Sequence, residues 1–325
     1  MPVLPRRAIL AMPALIAAQA PRAGAATWPD RPLRMIIPFP AGATPDIAGR
    51  AAASHFAQVL GQPCVVENRP GAGGNIGTDA VAKATDGHTI GVSINGPLST
   101  APALFPNLPY DPRRDLAPIS LLTRAAQMLV VAPGVPAQDL AGFIAHVRAN
   151  PGRLSFASIG SGSGGHLAMV DLMARTGMEM LHVPYRGFPQ ATIDVVAGRI
   201  DAMMLTVAGI LPQLREGRVR GLAVTADQRL ALAPEVPTLG EAGIPGAASY
   251  AWNGLIAPAA MPADRIARLA AETVAALSEP ATRRGLEAAG FEVAAGTPAE
   301  FAALIAADTI RWGGLVARLG IRPEA

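Results

Sequence analysis

The stretch Leu33-Arg34-Met35-Ile36-Ile37-Pro38-Phe39-Pro40-Ala41-Gly42-Ala43-Thr44-Pro45-Asp46 reads as a strand, a loop and the opening of a helix. Leu33 to Ile37 is an apolar run of strand length bounded by Pro38. Thr44 stands where an N-cap is expected, and Pro45 at the first helical position, where its missing N–H costs nothing. The spacing predicts a helix to about Leu60, ended by Gly61. Strand readings recur at Cys64-Val65-Val66-Glu67 and Thr89-Ile90-Gly91-Val92-Ser93. Helix between strands, repeated, predicts an α/β fold with a parallel sheet and helices on both faces.

From Met128-Leu129-Val130-Val131 the pattern begins again. Strands are expected at Leu154–Ala157, Met180–Val183, Ala202–Leu205 and Gly221–Val224, with helices at Leu140–Ala149, His166–Thr176 and Ala191–Ala197. The tail has one strand, Gly254–Ala257, and two helices, Ala263–Leu277 and Pro298–Trp312. These are too few for a domain of their own and are expected to complete the first. The organisation read from this is a discontinuous first domain, residues 27–124 and 227–325, with residues 125–226 inserted as a second α/β domain.

Residues 1–26 read as an export signal. Arg6-Arg7 is the basic region, Ala8 to Ala20 the apolar region, and Ala23-Gly24-Ala25 the small-residue cleavage pattern near residues 25–26. The paired arginines leave both the general and the twin-arginine export route open. Of 27 basic and 24 acidic residues, the signal takes Arg6, Arg7 and Arg22, leaving 24 of each. A near-neutral mature chain with scattered arginines gives no case for nucleic acid. Cys64 is the only cysteine, so neither an intramolecular disulfide nor a cysteine metal site can form, and it reads as a small buried apolar group.

Three loops lie where a strand hands over to a helix, the edge at which open α/β sheets bind ligands. In the first, amides around Gly42 and at the helix start suit an anion, although Asp46 already answers the helix dipole, and a plain capped turn is the alternative. The second, Ser158-Ile159-Gly160-Ser161-Gly162-Ser163-Gly164-Gly165-His166, offers small donors and close backbone approach. It contains a G-x-G-x-x-G at Gly160, Gly162 and Gly165, but the acid a dinucleotide ribose needs is missing from the end of the next strand. The third, His182-Val183-Pro184-Tyr185-Arg186-Gly187, brings a guanidinium fork suited to a carboxylate, or else a solvated loop charge. A fourth stretch, Pro70 to Gly77, lacks the Lys-Ser/Thr of a phosphate loop and reads as a close-packed turn. No G-x-S-x-G or H-E-x-x-H occurs. A pairing of Ser161 or Ser163 with His166 stays open, with no orienting acid in view.

Taken in order, these segments resemble the Bug family of periplasmic solute receptors of tripartite tricarboxylate transporters. The resemblance rests on Trp28-Pro29 with Arg31-Pro32, Pro38 to Asp46, Glu67 to Gly77, His182 to Gly187, Gly221 to Thr225, Pro237-Thr238 with Glu241-Ala242-Gly243, and Gly254-Leu255 before Ala257-Pro258. It implies a two-domain Venus-flytrap fold, type II-like among periplasmic binding proteins, with the ligand cleft between domains. Phe39, Ala41, Gly42, Thr44 and Asp46 would face Ser158, Ser161, Ser163 and His166 across it, with Tyr185, Arg186 and Asn95 lining it. Family members often carry an aspartate where this chain has Leu205, and its absence disfavours an amino-acid ligand. Ala43 stands where a second glycine is common.

The resemblance implies a monomer that takes a small organic acid, with no metal and no cofactor. It would serve a membrane permease or a sensor and would not be an enzyme. The alternative is a secreted or dinucleotide-dependent enzyme using the Gly160–Gly165 loop.

Overall fold

The computed structural model describes residues 28–322, so the expected export signal lies outside the described residues. No helix among the described residues is long and apolar enough to cross a membrane. The chain runs β1 (Leu33–Ile37), α1 (Thr44–Val59), β2 (Cys64–Asn68), α2 (Asn75–Ala82), β3 (Thr89–Ile94) and α3 (Ala101–Leu104). It continues β4 (Leu116–Val131), α4 (Leu140–Ala149), β5 (Ser155–Ser158), α5 (Gly164–Thr176), β6 (Leu181–Pro184) and α6 (Phe188–Val196). Then come β7 (Ala202–Thr206), α7 (Val207–Arg215), β8 (Arg220–Val224), β9 (Tyr250–Pro258), α8 (Ala263–Ser278), α9 (Pro280–Ala288), β10 (Glu292–Val293) and α10 (Pro298–Leu319).

The strands lie in the order β2-β1-β3-β9-β4-β7-β5-β6, with β8 and β10 also on β4. β1 pairs β2 and β3 in parallel, and β5 pairs β6 and β7 in parallel. Every pairing of β4, and that of β3 with β9, is antiparallel. The expected all-parallel sheet is therefore corrected to a mixed one, because two long strands return through its middle. β4 was legible only in its last four residues, Met128–Val131. Its longer first part, Leu116 to Ala126, carries Pro118 and polar residues yet pairs β9, while Gln127 to Val131 pairs β7.

Apolar packing divides accordingly. Met35, Phe56, Ile90, Leu122, Leu255 and Leu269 belong to one core. Leu129, Phe143, Phe156, Met169, Met203 and Val224 belong to another. Residues 227–247, expected with the first, pack on the second through Ala233, Val236, Leu239 and Ala247. The Val224 amide donates to the Pro237 carbonyl, and Leu239 to Val224, which ties this segment to β8.

Local chemistry explains the element ends. Thr297 caps α10 by accepting from the Glu300 amide (3.2 Å), while Glu300 accepts from the Thr297 amide (2.7 Å). α5 ends at Gly177 in the left-handed region (φ 65°). α1 differs from expectation: Ala43, not Thr44, is its N-cap, with no side-chain cap bond. The Asp46 carboxylate instead reaches back to the Gly42 amide (2.9 Å), so the first turn is tied from inside the helix. Cys64 is half-buried, and desolvation pushes its thiol up to about 12, which makes it inert.

Candidate functional site

The N-termini of α1 and α5 meet at one small cavity of about 20 Å³, room for roughly one water. Its walls include Thr44 and Pro45 from α1, Asn95 after β3, Gln127 of β4, Gly164 and Gly165 from α5, Phe188, Thr206 and Asn253. Three buried polar side-chain atoms at or beside it have no hydrogen-bond partner: Asn95 Nδ2, Ser163 Oγ and Thr206 Oγ1. A buried polar group left unpaired is unfavourable by about 1–3 kcal/mol, so three together mark a place built for a polar guest.

The first loop is held by Asp46. Its carboxylate, nearly fully buried, accepts from the Gly42 amide (2.9 Å), Arg50 Nε (2.9 Å) and Asn68 Nδ2 (2.8 Å). Burial alone would raise its pKa, but the bonds from Arg50, Asn68 and Gly42 outweigh it and hold the acid below its ordinary value. With its oxygens so committed, Asp46 shapes the loop. Phe39 is likewise interior, packed with Ala43, Ile94 and Ile159, whereas Ala41 and Gly42 are exposed at the loop's tip.

The second loop is held without charge. His166 Nδ1 accepts from the Gly162 amide (3.2 Å), and Ser158 Oγ shares a 2.6 Å hydrogen bond with His182 Nε2. The two imidazoles lie 4.2 Å apart, centroid to centroid. Burial, and then His182, push His166 down to about 3; burial pushes His182 down to about 4, so both rings are neutral near pH 7. The geometry does not bring His166 to Ser161 or Ser163. Ser158 is locked in its loop, and Ser161 lies half-buried outside the central cavity.

The glycine spacing is accounted for by close approach within the protein. A Cβ on Gly160 would lie 2.8 Å from Gly73 Cα, one on Gly162 2.5 Å from Leu104 Cδ1, and one on Gly165 2.1 Å from the Met204 oxygen. Each of these three positions therefore needs glycine for packing within the protein itself. Gly77 in the Pro70 stretch is equally crowded, 2.7 Å from Pro38 Cα, as the close-packed turn requires.

Two expected residues are elsewhere. Tyr185 and Arg186 line a separate cavity of about 300 Å³ beside Gly73, Gly160 and Ser161. The Tyr185 hydroxyl donates to Asp194 (2.7 Å). Leu205 is fully buried in the second core. Strand alternation turns the next residue, Thr206, to the cavity instead. Sequence reading missed Thr206 and Gln127. Both sit beside residues read as plain strand, and no motif marks them. The Gln127 amide is satisfied when its oxygen faces the Gly165 amide (2.8 Å) and its nitrogen the Gly164 carbonyl (3.2 Å).

A third cavity, about 430 Å³, adjoins the central one, sharing Thr44 and Phe188 with it. It runs between α1, α6 and α7, with Ala289 at its edge.

Comparison with known proteins places the chain among relatives. Residues 48–321 match the model of the tripartite tricarboxylate transporter family receptor. The chain is 40% identical over 291 residues to the UPF0065 protein of the tcbD-tcbE intergenic region of a Pseudomonas species, covering 89% of this chain and 86% of that one. A Rhodopseudomonas palustris protein solved with adipate superposes with a TM-score of 0.86 at 30% identity, covering 90% of this chain and 99% of that one. MatC of the same organism, solved with malate, gives 0.84 at 34% identity, covering 89% and 100%. With its α/β fold, its paired helix N-termini and a family match over most of its length, the chain belongs to the tripartite tricarboxylate transporter receptors, the TctC or Bug family of periplasmic solute-binding proteins.

Proposed function

We propose that this receptor captures a small organic acid between two α/β lobes, residues 28–125 with 250–322 and residues 126–249, and releases it to a tripartite tricarboxylate permease. Two cores joined by β4 and β9 support this division, and the packing of Ala233, Val236, Leu239 and Ala247 in the second core supports a boundary near 249 in place of 226. The observation that carries the proposal is the meeting of two helix N-termini at a cavity with unpartnered Asn95 and Thr206. Helix N-termini present N–H groups and positive dipole ends, which favour a carboxylate. A cavity of about 20 Å³ cannot admit an organic acid, so the lobes must part on their hinge strands for one to enter. Ligand that bridges the loops would then shift the population toward closure.

Relatives solved with adipate and malate put small carboxylates first among the candidates. The reading includes export to the periplasm, a monomeric receptor and no catalytic step. The test is a thermal-shift screen against mono-, di- and tricarboxylic acids. An acid present at about a hundred times its Kd adds roughly 2.7 kcal/mol to the native state, a readily seen shift. Asn95→Leu should abolish the shift while leaving the unliganded melting temperature in place, since Asn95 Nδ2 has no protein partner to lose. Silence across every acid would overturn the capture reading.

A further inference from the structure

We propose that the 430 Å³ cavity beside the central site is the subsite for the body of the ligand, and that it selects an uncharged apolar body bearing a hydroxyl over a second carboxylate. The proposal rests on the capture reading above. Its volume falls within the range of small-molecule sites, about 300–1,000 Å³. It connects to the place where the first carboxylate sits, because Thr44 and Phe188 line both cavities. The cavity holding Arg186 and Tyr185 shares no lining residue with the central one; Phe39 lines the former, Ile159 the latter, and the two belong to one apolar cluster.

The lining chemistry is specific. No charged side chain borders this cavity among the described residues. Its walls are apolar at Ile47, Phe188 and Ile193, and Ile193 is 62% exposed. Against these stand two buried oxygens with no hydrogen-bond partner, Thr192 Oγ1 and Gln213 Oε1. Thr192 is 7% exposed, so water does not readily compensate its hydroxyl. A second carboxylate entering here would lose hydration and meet no cation, which is strongly unfavourable. A hydroxyl both donates and accepts, so it can satisfy the threonine and the amide together.

Isothermal titration with three acids of equal length decides it: 6-hydroxyhexanoate, hexanoate and adipate. The expected order is 6-hydroxyhexanoate tightest and adipate weakest, with about tenfold between the first two, as for one hydrogen bond to a group otherwise left unpaired. Thr192→Val should close the gap between 6-hydroxyhexanoate and hexanoate, and Thr192→Ser should restore it. Gln213→Leu, on a half-buried position of α7, is the second variant should valine disturb the fold, and should narrow the same gap. Adipate binding as tightly as 6-hydroxyhexanoate, or a gap that survives both variants, would overturn the proposal while leaving capture of acids intact. If none of these acids and no other carboxylate binds, the capture reading falls and this subsite with it.

Discussion

The loop between β1 and α1 is held by an anion, Asp46, whose carboxylate gathers an amide, a guanidinium and an asparagine. The loop between β5 and α5 is held by two neutral imidazoles, tilted against each other with centroids 4.2 Å apart and bonded to Gly162 and Ser158. Both loops present a helix N-terminus to the same cavity. The difference is one of tolerance. A buried anion with three donors can sit close to a helix start because it adds to the favourable field there, and it leaves the loop's tip in solvent. The second loop is pressed between β7 and the Gly71–Gly74 turn, where a charge would be poorly solvated, so its ties are neutral and its crowded positions are glycine.

The sharpest break of this contrast is Gly165→Ala. Its new Cβ would lie 2.1 Å from the Met204 carbonyl oxygen, a backbone atom that cannot rotate away. We expect a loss of about 3 kcal/mol or more in urea unfolding, at or beyond the upper end of ordinary overpacking. Gly42→Ala in the other loop meets nothing within 4 Å, so only its positive φ (79°) matters, and the loss should stay near 1 kcal/mol.

Next is Asp46→Ala, which strands the Gly42 amide and Asn68 and should lower stability by about 2–3 kcal/mol in the same assay at pH 7. Because the folded pKa of Asp46 lies below the unfolded one, its contribution is full above about pH 4 and is lost as pH falls through the folded value. The second loop fails in a different window. His166, held down to about 3, stays neutral in the fold, while the unfolded chain takes up a proton below about 6.5. The unfolded state therefore binds more protons between those limits, and stability falls as pH falls. From pH 7 to pH 5 the loss should be about 2 kcal/mol for this residue. His166→Gln, which can still accept from Gly162, should flatten that slope; an unchanged slope would show that His166 does not titrate as its burial requires.

The smallest effect belongs to Arg186→Ala. Its side chain is exposed and lines a cavity apart from the central one. Unfolding free energy should move by less than about 0.5 kcal/mol, as for other exposed positions, and affinity for the best acid by less than about twofold. A larger loss of affinity would place the ligand's far end against the third loop after all.

Much of the fold was legible because its local signals agree. The pattern Leu33 to Asp46 has one sensible reading as strand, turn and helix, since apolar run, proline and glycine all point the same way. The two candidate loops were legible for the same reason: glycine- and serine-rich turns after strands mark a ligand edge. Roles within them were harder. Asp46 and Ser158 have the right chemistry for a ligand, but the tertiary structure gives them protein partners first. Thr206 and Thr192 look like ordinary helix or strand residues, and only the meeting of distant elements leaves their hydroxyls unpaired.

By itself, then, the sequence determined the alternation of strand and helix, the position of the glycine loops and the family, because these depend on neighbours along the chain. Tertiary structure decided that β4 and β9 run antiparallel through both cores, and that residues 227–247 join the second. It also decided that an uncharged cavity adjoins the central one, while Arg186 lines another. Such outcomes depend on which surfaces are left after distant segments pack, and a buried polar atom becomes a binding group only when that packing withholds its partner.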